Sequence, residues 1–245
     1  MWIGDWRFAQ TGNAYRTQVA GADFAYALTL ATDAPPLLNG DAGFSAKSPD
    51  ARHASHYYSQ PQLAVTGAIT LGGRRMTVSD LPGPDNRAWL DHECSQALMH
   101  PDAVGWDWIG MNLEDGGALT AFQLRRADGS ALWAGGSWRQ AGVSGAQSFE
   151  PQAVRFTPLR HWRSNVSGAL YPVEWRVDTP AGSFTVRALL DAQELDSRGS
   201  TGAIYWEGLS ELRDAAGRAL GRGYLEMTGY AQPLRLARQP GNIET

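Results

Sequence analysis

Apolar residues in this chain recur at every second position, and the runs end in the turn residues that a tight hairpin needs. Phe24, Tyr26, Leu28 and Leu30 alternate with smaller residues, and Leu63, Val65, Ile69 and Leu71 do so up to Gly72-Gly73, after which Met76 and Val78 form the return. Strand side chains point to alternate faces, so a period of two marks a strand buried on one side. Gly-Gly supplies the positive φ angles of the turn. The device repeats in Trp106 to Leu113, Ala118 to Arg125 and Ala131 to Trp138, closed by Glu114-Asp115-Gly116-Gly117 and Asp128-Gly129. It returns in Tyr171 to Val177 with Phe184 to Leu190 around Pro180-Ala181-Gly182, and in Ala203 to Leu212 with Gly221 to Tyr230 around Asp214-Ala215-Ala216-Gly217. Strands at this spacing predict an all-β, antiparallel barrel or sandwich. The single helical pattern is a faint one over Leu189 to Arg198.

Ala34-Pro35-Pro36 to Arg52 holds Gly, Pro, Ser and Asp without periodicity, so it reads as a long loop and the candidate boundary between two units. Leu81 to Asn86 is a second irregular stretch. The 245 residues, 43% of them hydrophobic, exclude a disordered tail or a fibrous chain and leave room for one large β domain or two small ones. Lys and Arg number 21 against 25 Asp and Glu, interspersed and without a basic stripe, which argues against a nucleic-acid partner. Cys94 is the only cysteine, so neither a disulfide nor a paired-cysteine zinc site is available, and no metal or other cofactor is expected. No run approaches the ~20 apolar residues of a membrane span. Met-Trp-Ile-Gly-Asp-Trp-Arg at the N-terminus lacks the plan of a secretory leader, so the chain reads as cytoplasmic as written, or periplasmic if the N-terminus is truncated.

Three ionisable residues stand in a row in Arg87-Ala88-Trp89-Leu90-Asp91-His92-Glu93-Cys94-Ser95, inside what otherwise reads as a strand. Alternation puts Asp91 and Glu93 on one face with Trp89, and His92 and Cys94 on the other with Leu90. All of them therefore cannot serve one metal ion. Two readings stay open: a carboxyl whose pKa is raised by aromatic surroundings and acts as a general acid, or a hydrogen-bond network that fixes loops at a barrel rim. Asp107, Glu174, Glu207 and Glu226 also sit beside aromatic residues in strands, and some of them must face solvent. His53 and His56 fall in a segment read as loop, where no helix aligns them. Ten tryptophans and eight tyrosines either fill a barrel interior or line a cavity for an apolar ligand. No Gly-x-Ser-x-Gly elbow, phosphate-binding loop or dinucleotide fingerprint is present.

Several motifs, taken in order, resemble those of one family. They are Trp89-Leu90-Asp91-His92-Glu93, Gly105-Trp106-Asp107-Trp108-Ile109-Gly110, Tyr205-Trp206-Glu207-Gly208 and Gly221 to Tyr230, with Tyr57-Tyr58-Ser59-Gln60-Pro61 and Tyr171-Pro172-Val173-Glu174-Trp175 in support. The chain is similar to the CrtC/AttH family, the carotenoid 1,2-hydratase or hydroxyneurosporene synthase-like group, from about Trp2 to Tyr230. The resemblance implies lipocalin-like β-barrels: residues 1–56 as closing strands of a partial first barrel plus a linker loop, and residues 57–245 as a complete second barrel. Three departures stand out. The family's Arg-Thr-Glu-Trp-Trp-Tyr-like N-terminal stretch is absent, Cys94 replaces the tryptophan that follows Asp-His-Glu, and Leu81 to Asn86 look inserted.

The resemblance does not fix one reaction, and the first reading is a hydratase that protonates a C=C bond of an apolar isoprenoid-type substrate and adds water. Asp91 is then the proton donor, with His92 or Glu93 orienting it or the water. Trp89, Trp106, Trp108, Tyr205, Trp206 and Tyr224, with Cys94, are the expected substrate-binding residues. A second reading is a lipocalin-like carrier of a hydrophobic small molecule. A third is an acyl or ester hydrolase using Cys94 assisted by His92, two positions apart on one strand face. A homodimer is left open.

Overall fold

The computed structural model describes residues 1–78, 86–97 and 99–234, so the irregular stretch at Leu81 to Asn86 lies, apart from Asn86, outside the described residues. The first sheet comprises β1 (Trp2–Ile3), β2 (Trp6–Thr11), β3 (Ala14–Ala20), β4 (Phe24–Ala31), β5 (Leu37–Leu38), β6 (Phe44–Ala46), β7 (Ala54–Leu71), β8 (Arg74–Val78) and β9 (Arg87–Cys94). The second comprises β10 (Gly105–Leu113), β11 (Ala118–Arg125), β12 (Ala131–Arg139), β13 (Gln147–Ser148), β14 (Arg155–Arg163), β15 (Leu170–Thr179), β16 (Gly182–Ala188), β17 (Glu194–Ser197), β18 (Ala203–Arg213) and β19 (Ala219–Thr228). The architecture is the expected all-β, lipocalin-like one, a curled partial barrel followed by a second barrel. Among the described residues there is no helix. The segment Leu189 to Arg198 instead carries β17, paired with β18, because the pattern over it is too polar to bury a helical face. No described helix is long and apolar enough to cross a membrane.

β7 organises the first sheet. Its C-terminal half pairs with β4 and, through the Gly72-Gly73 turn (φ 51° and 79°), with β8. Its N-terminal half pairs with β9 on one edge and with β5 and β6 on the other. His56, read from sequence as loop, is therefore a strand residue opposite Cys94. Between Gln60 and Leu63 the β7–β9 register slips by one residue. Pro61, which has no N–H to give a ladder, fits such a bulge, and Gln62 adopts φ 59° there. The division expected at 56/57 falls inside β7. The hydrogen-bonded ladders of the two sheets separate between Cys94 and Gly105.

The second sheet runs β13-β12-β11-β10-β19-β18-β16-β15-β14 and wraps a filled interior. Alternation along β10 sends Ile109, Met111 and Leu113 inward, where they join Leu119, Trp175, Trp206, Leu225 and Met227 in one buried cluster. One end of this interior is polar, with its two charges paired. Arg125 Nε lies 2.9 Å from Asp107 Oδ2, Gln123 donates to the same carboxylate at 2.7 Å, and the Tyr230 hydroxyl donates to it at 2.8 Å. Asp107 is thus a structural anchor rather than a site residue. The even-numbered residues of β10 project the other way, toward the first sheet.

Side-chain hydrogen bonds pin the sheets together, those of Gln62, Arg139 and Ser148 among them. Gln62 donates its backbone N–H to Asn112 Oδ1 (2.7 Å) and its side-chain amide to the carbonyls of Leu113 (2.9 Å) and Gly117 (2.7 Å). Arg139 donates to the Pro35 carbonyl at 2.7 Å, and Ser148 to the Gly40 carbonyl at 2.5 Å.

Candidate functional site

The site lies between the sheets, where β7 and β9 face the outer surface of β10, β11 and β19. Register decides what gathers there. On β7 and β9, Ser59 stands opposite Asp91 and Tyr57 opposite Glu93, and directly paired residues share a face. Asp91, Glu93 and Trp89 therefore point together into the gap, while His92 points away and stacks on Tyr58 with ring centroids 5.2 Å apart. Cys94 is exposed on that same outward side. Neither residue lines the two cavities found between the sheets.

Two cavities occupy the gap. The smaller, about 180 Å³, is lined by Lys47, Tyr57, Asp91, Glu93, Met99, Trp106, Trp108, Phe122, Leu124 and Glu226. The larger, about 550 Å³, is lined by Trp89, Asn112, Leu209, Arg222 and Tyr224, among others. Asp91, Trp108 and Glu226 line both, so two carboxyl groups and an indole form the shared wall.

Each polar group on this wall is held by neutral or aromatic partners. Asp91 Oδ1 accepts from Ser59 Oγ at 2.6 Å and from Trp89 Nε1 at 2.8 Å. It is exposed to cavity space on one side and enclosed by protein on the others, and this enclosure raises its pKa to about 6 against the opposing effect of the Ser59, Trp89 and Tyr57 donors. Glu226 accepts from Trp106 Nε1 at 2.5 Å. Burial pushes its carboxyl up to about 7, the Trp106 donor opposes, and the Glu207, Asp91 and Glu93 carboxylates add to the rise. Glu207 is the direct cross-strand partner of Glu226 on β18, and two carboxyls so placed favour keeping one protonated. Trp108 donates to the Tyr57 hydroxyl at 3.0 Å and packs edge-on against Trp89 at 6.2 Å. Gly110 leaves room for both indoles, since a Cβ there would collide with the Trp108 and Trp89 rings.

Glu93 differs from its two neighbours in having a cation. Lys47 Nζ lies 2.9 Å from Glu93 Oε1, and Ser55 Oγ donates to the same oxygen at 2.6 Å. Lys47 is buried, and that burial lowers its pKa while Glu93 opposes.

Of the residues expected from sequence, Trp89, Asp91, Glu93, Trp106, Trp108 and Tyr224 come together on these cavities. His92, Cys94 and Tyr205 line neither cavity. Trp206 stands in the filled barrel interior, fully buried, donating to the Asp191 carbonyl at 2.7 Å. It pairs with Met227, whose side chain points inward, whereas Glu207 takes the outward position. Sequence reasoning missed Lys47, Tyr57 and Phe122 as site residues and gave Glu226 no role. Glu226 did carry a signal, its position two residues from Tyr224 on one strand face. Among the described residues no group of three or more His, Cys, Asp and Glu side chains is arranged to hold a metal ion.

The comparisons agree with this architecture. A crystal structure of a protein from Nitrosomonas europaea assigned to AttH is similar at 44% identity and a TM-score of 0.85, over 92% of this chain and 68% of that one. Kievitone hydratase from Nectria haematococca is similar at 16% identity and a TM-score of 0.74, over 94% of this chain and 70% of that one, a likeness of fold alone. No curated protein matches the chain in sequence. The family model described as AttH-like matches residues 1–230, and the chain belongs to the AttH-like family.

Proposed function

We propose that the protein is a hydratase that adds water to the C=C bond of a hydrophobic, isoprenoid-type small molecule held between the two sheets. The observation that carries this reading is the shared wall: two carboxyl groups held protonated toward neutral pH, set among indole rings, on a gap large enough for a small ligand. A hydratase of the same fold lends support.

Asp91 is the proton donor. Its O–H bond breaks as a C–H bond forms at the less substituted alkene carbon, and the positive charge that develops on the other carbon faces the Trp106 and Trp108 rings, which attract a cation. A water oxygen then bonds to that carbon. The proton it releases goes to Glu226, which near its pKa of about 7 is partly ionised and able to accept it. Proton return from Glu226 to Asp91 resets the pair.

The test is incubation of the purified chain with an isoprenoid, alkene and ester panel, with mass spectrometry of the products. A gain of one water with the skeleton intact, abolished in Asp91→Asn while ligand binding persists, supports the assignment. Full turnover in Asp91→Asn sinks it. A ligand that is retained but unchanged points to a carrier instead.

A further inference from the structure

We propose that Lys47 anchors a neutral carbonyl oxygen of the molecule in the smaller cavity, so that the ligand is an oxygenated, branched enone rather than a bare hydrocarbon. The inference rests on the hydratase reading and names its substrate class. Lys47 lies between β6 and β7 and is 5% exposed. Its ammonium has three donors. One side meets Glu93 at 2.9 Å and another Ser45 Oγ at 3.2 Å. The remaining side faces aromatic walls of the cavity, with Nζ 4.2 Å from the centroid of Phe122 and 5.0 Å from that of Tyr57. Ring faces attract a cation but do not replace an oxygen acceptor, so a buried donor is left undersatisfied until a ligand oxygen reaches it.

Charge narrows the oxygen to a neutral one. Glu93 already balances Lys47, and Asp91 and Glu226 line the same cavity, so a carboxylate or phosphate would meet three carboxyl groups against one cation. Size describes the end of the ligand seated at Lys47, because this cavity is open and shares a wall with the larger one. At about 30 Å³ per water-sized group, 180 Å³ holds roughly six non-hydrogen atoms, close to a five-carbon branched alkene with one oxygen.

In such an enone, hydrogen bonding from Lys47 draws electrons toward the carbonyl and leaves the branched β-carbon electron-poor. The water oxygen bonds to that carbon, the π pair takes the Asp91 proton at the α-carbon, and the proton released by water passes to Glu226. Lys47 and Asp91 thus polarise one double bond in the same sense. Water is the only co-reactant.

The test compares isosteric probes: 4-methylpent-3-en-2-one, 2,4-dimethylpenta-1,3-diene, in which a methylene replaces the carbonyl oxygen, and 3-methylbut-2-enoate. Binding to the full chain is followed by NMR titration in wild type, Lys47→Met and the double variant Lys47→Met/Glu93→Gln, which leaves no buried charge unpaired. Wild type should bind the ketone about tenfold more tightly than the diene or the carboxylate. Lys47→Met, or the double variant if the single one does not fold, should bring the ketone to the level of the diene and leave the diene unchanged. Equal binding of ketone and diene by wild type, tighter binding of the carboxylate, or a ketone preference that survives removal of Lys47 overturns the assignment. Because the readout is binding, a Lys47-dependent ketone preference without turnover would uphold the anchor and count against the hydratase.

Discussion

Replacing Glu226 by Gln should stabilise the protein, and should do so only at neutral and alkaline pH. Glu226 keeps its proton up to about 7, against 4.5 for an unperturbed glutamate. Between those values the native chain holds a proton here that the unfolded chain has lost, so wild-type stability falls as pH rises through that window. At ~1.4 kcal/mol per pH unit the full effect above pH 7 is about 3 kcal/mol, and water in the cavity trims it toward about 2. Gln keeps the length of the side chain and the oxygen that accepts the Trp106 indole N–H, and its amide can donate to the opposing Glu207. Urea unfolding of both proteins across a pH series is the assay. The variant should exceed wild type by about 2 to 3 kcal/mol at alkaline pH, the gap should close as pH falls from 7 toward 4.5, and it should vanish below that. A difference that does not vary with pH would refute the claim that Glu226 is buried at a cost to its charged form.

Two further outcomes follow from the same geometry. If Asp91 must be protonated and Glu226 ionised, turnover follows a bell whose limbs belong to the pair, near 6 and 7; Glu226→Gln should lower the rate by about two orders of magnitude and erase the acid-side limb, leaving only the fall above 6, as read from initial rates against pH. Gln62→Ala removes the two side-chain hydrogen bonds that pin β7 to the β10–β11 hairpin and should cost roughly 2 kcal/mol, seen as a fall in Tm of about 5 °C; an unchanged Tm would mean the sheets are held elsewhere.

Local chemistry made much of the fold legible. The β4, β7 and β8 unit and the β10–β11–β12 meander show in the sequence because period-two apolar residues and glycine turns lie within a few residues of each other. The N-terminal half of β7 is hidden because Ser55 and His56 lie in the segment read as loop, and Ser59 and Pro61 break the apolar alternation beyond it. The structure uses both serines to donate to Glu93 and Asp91. β14 was hidden by its Pro158 and its basic residues. In the site, alternation alone separates Asp91 and Glu93 from His92 and Cys94. It does not tell which of Trp206 and Glu207 faces inward, since that depends on the β18–β19 register. Glu226 became a site residue only through its pairing with Trp108, a contact between distant parts of the chain. Lys47 lies in an aperiodic segment, where no pattern assigns a face.

The filled interior of the second barrel explains why the site lies outside it. A small barrel either encloses a ligand or packs its own side chains, and here Trp175, Trp206, Tyr171 and their neighbours take the space. The ligand volume beside Asp91 and Glu226 therefore arises where a second surface is held a short way off, and the first sheet supplies that surface. Its own apolar cluster is small, centred on Tyr15, Leu30 and Leu63, so its position depends on the pins at Gln62, Arg139 and Ser148 more than on a core of its own. Asp91 belongs to the first sheet and Glu226 to the second. Any change in how the sheets dock alters the distance between donor and acceptor of the proton before it alters either group, so docking contacts far from the chemistry act on rate as well as on stability.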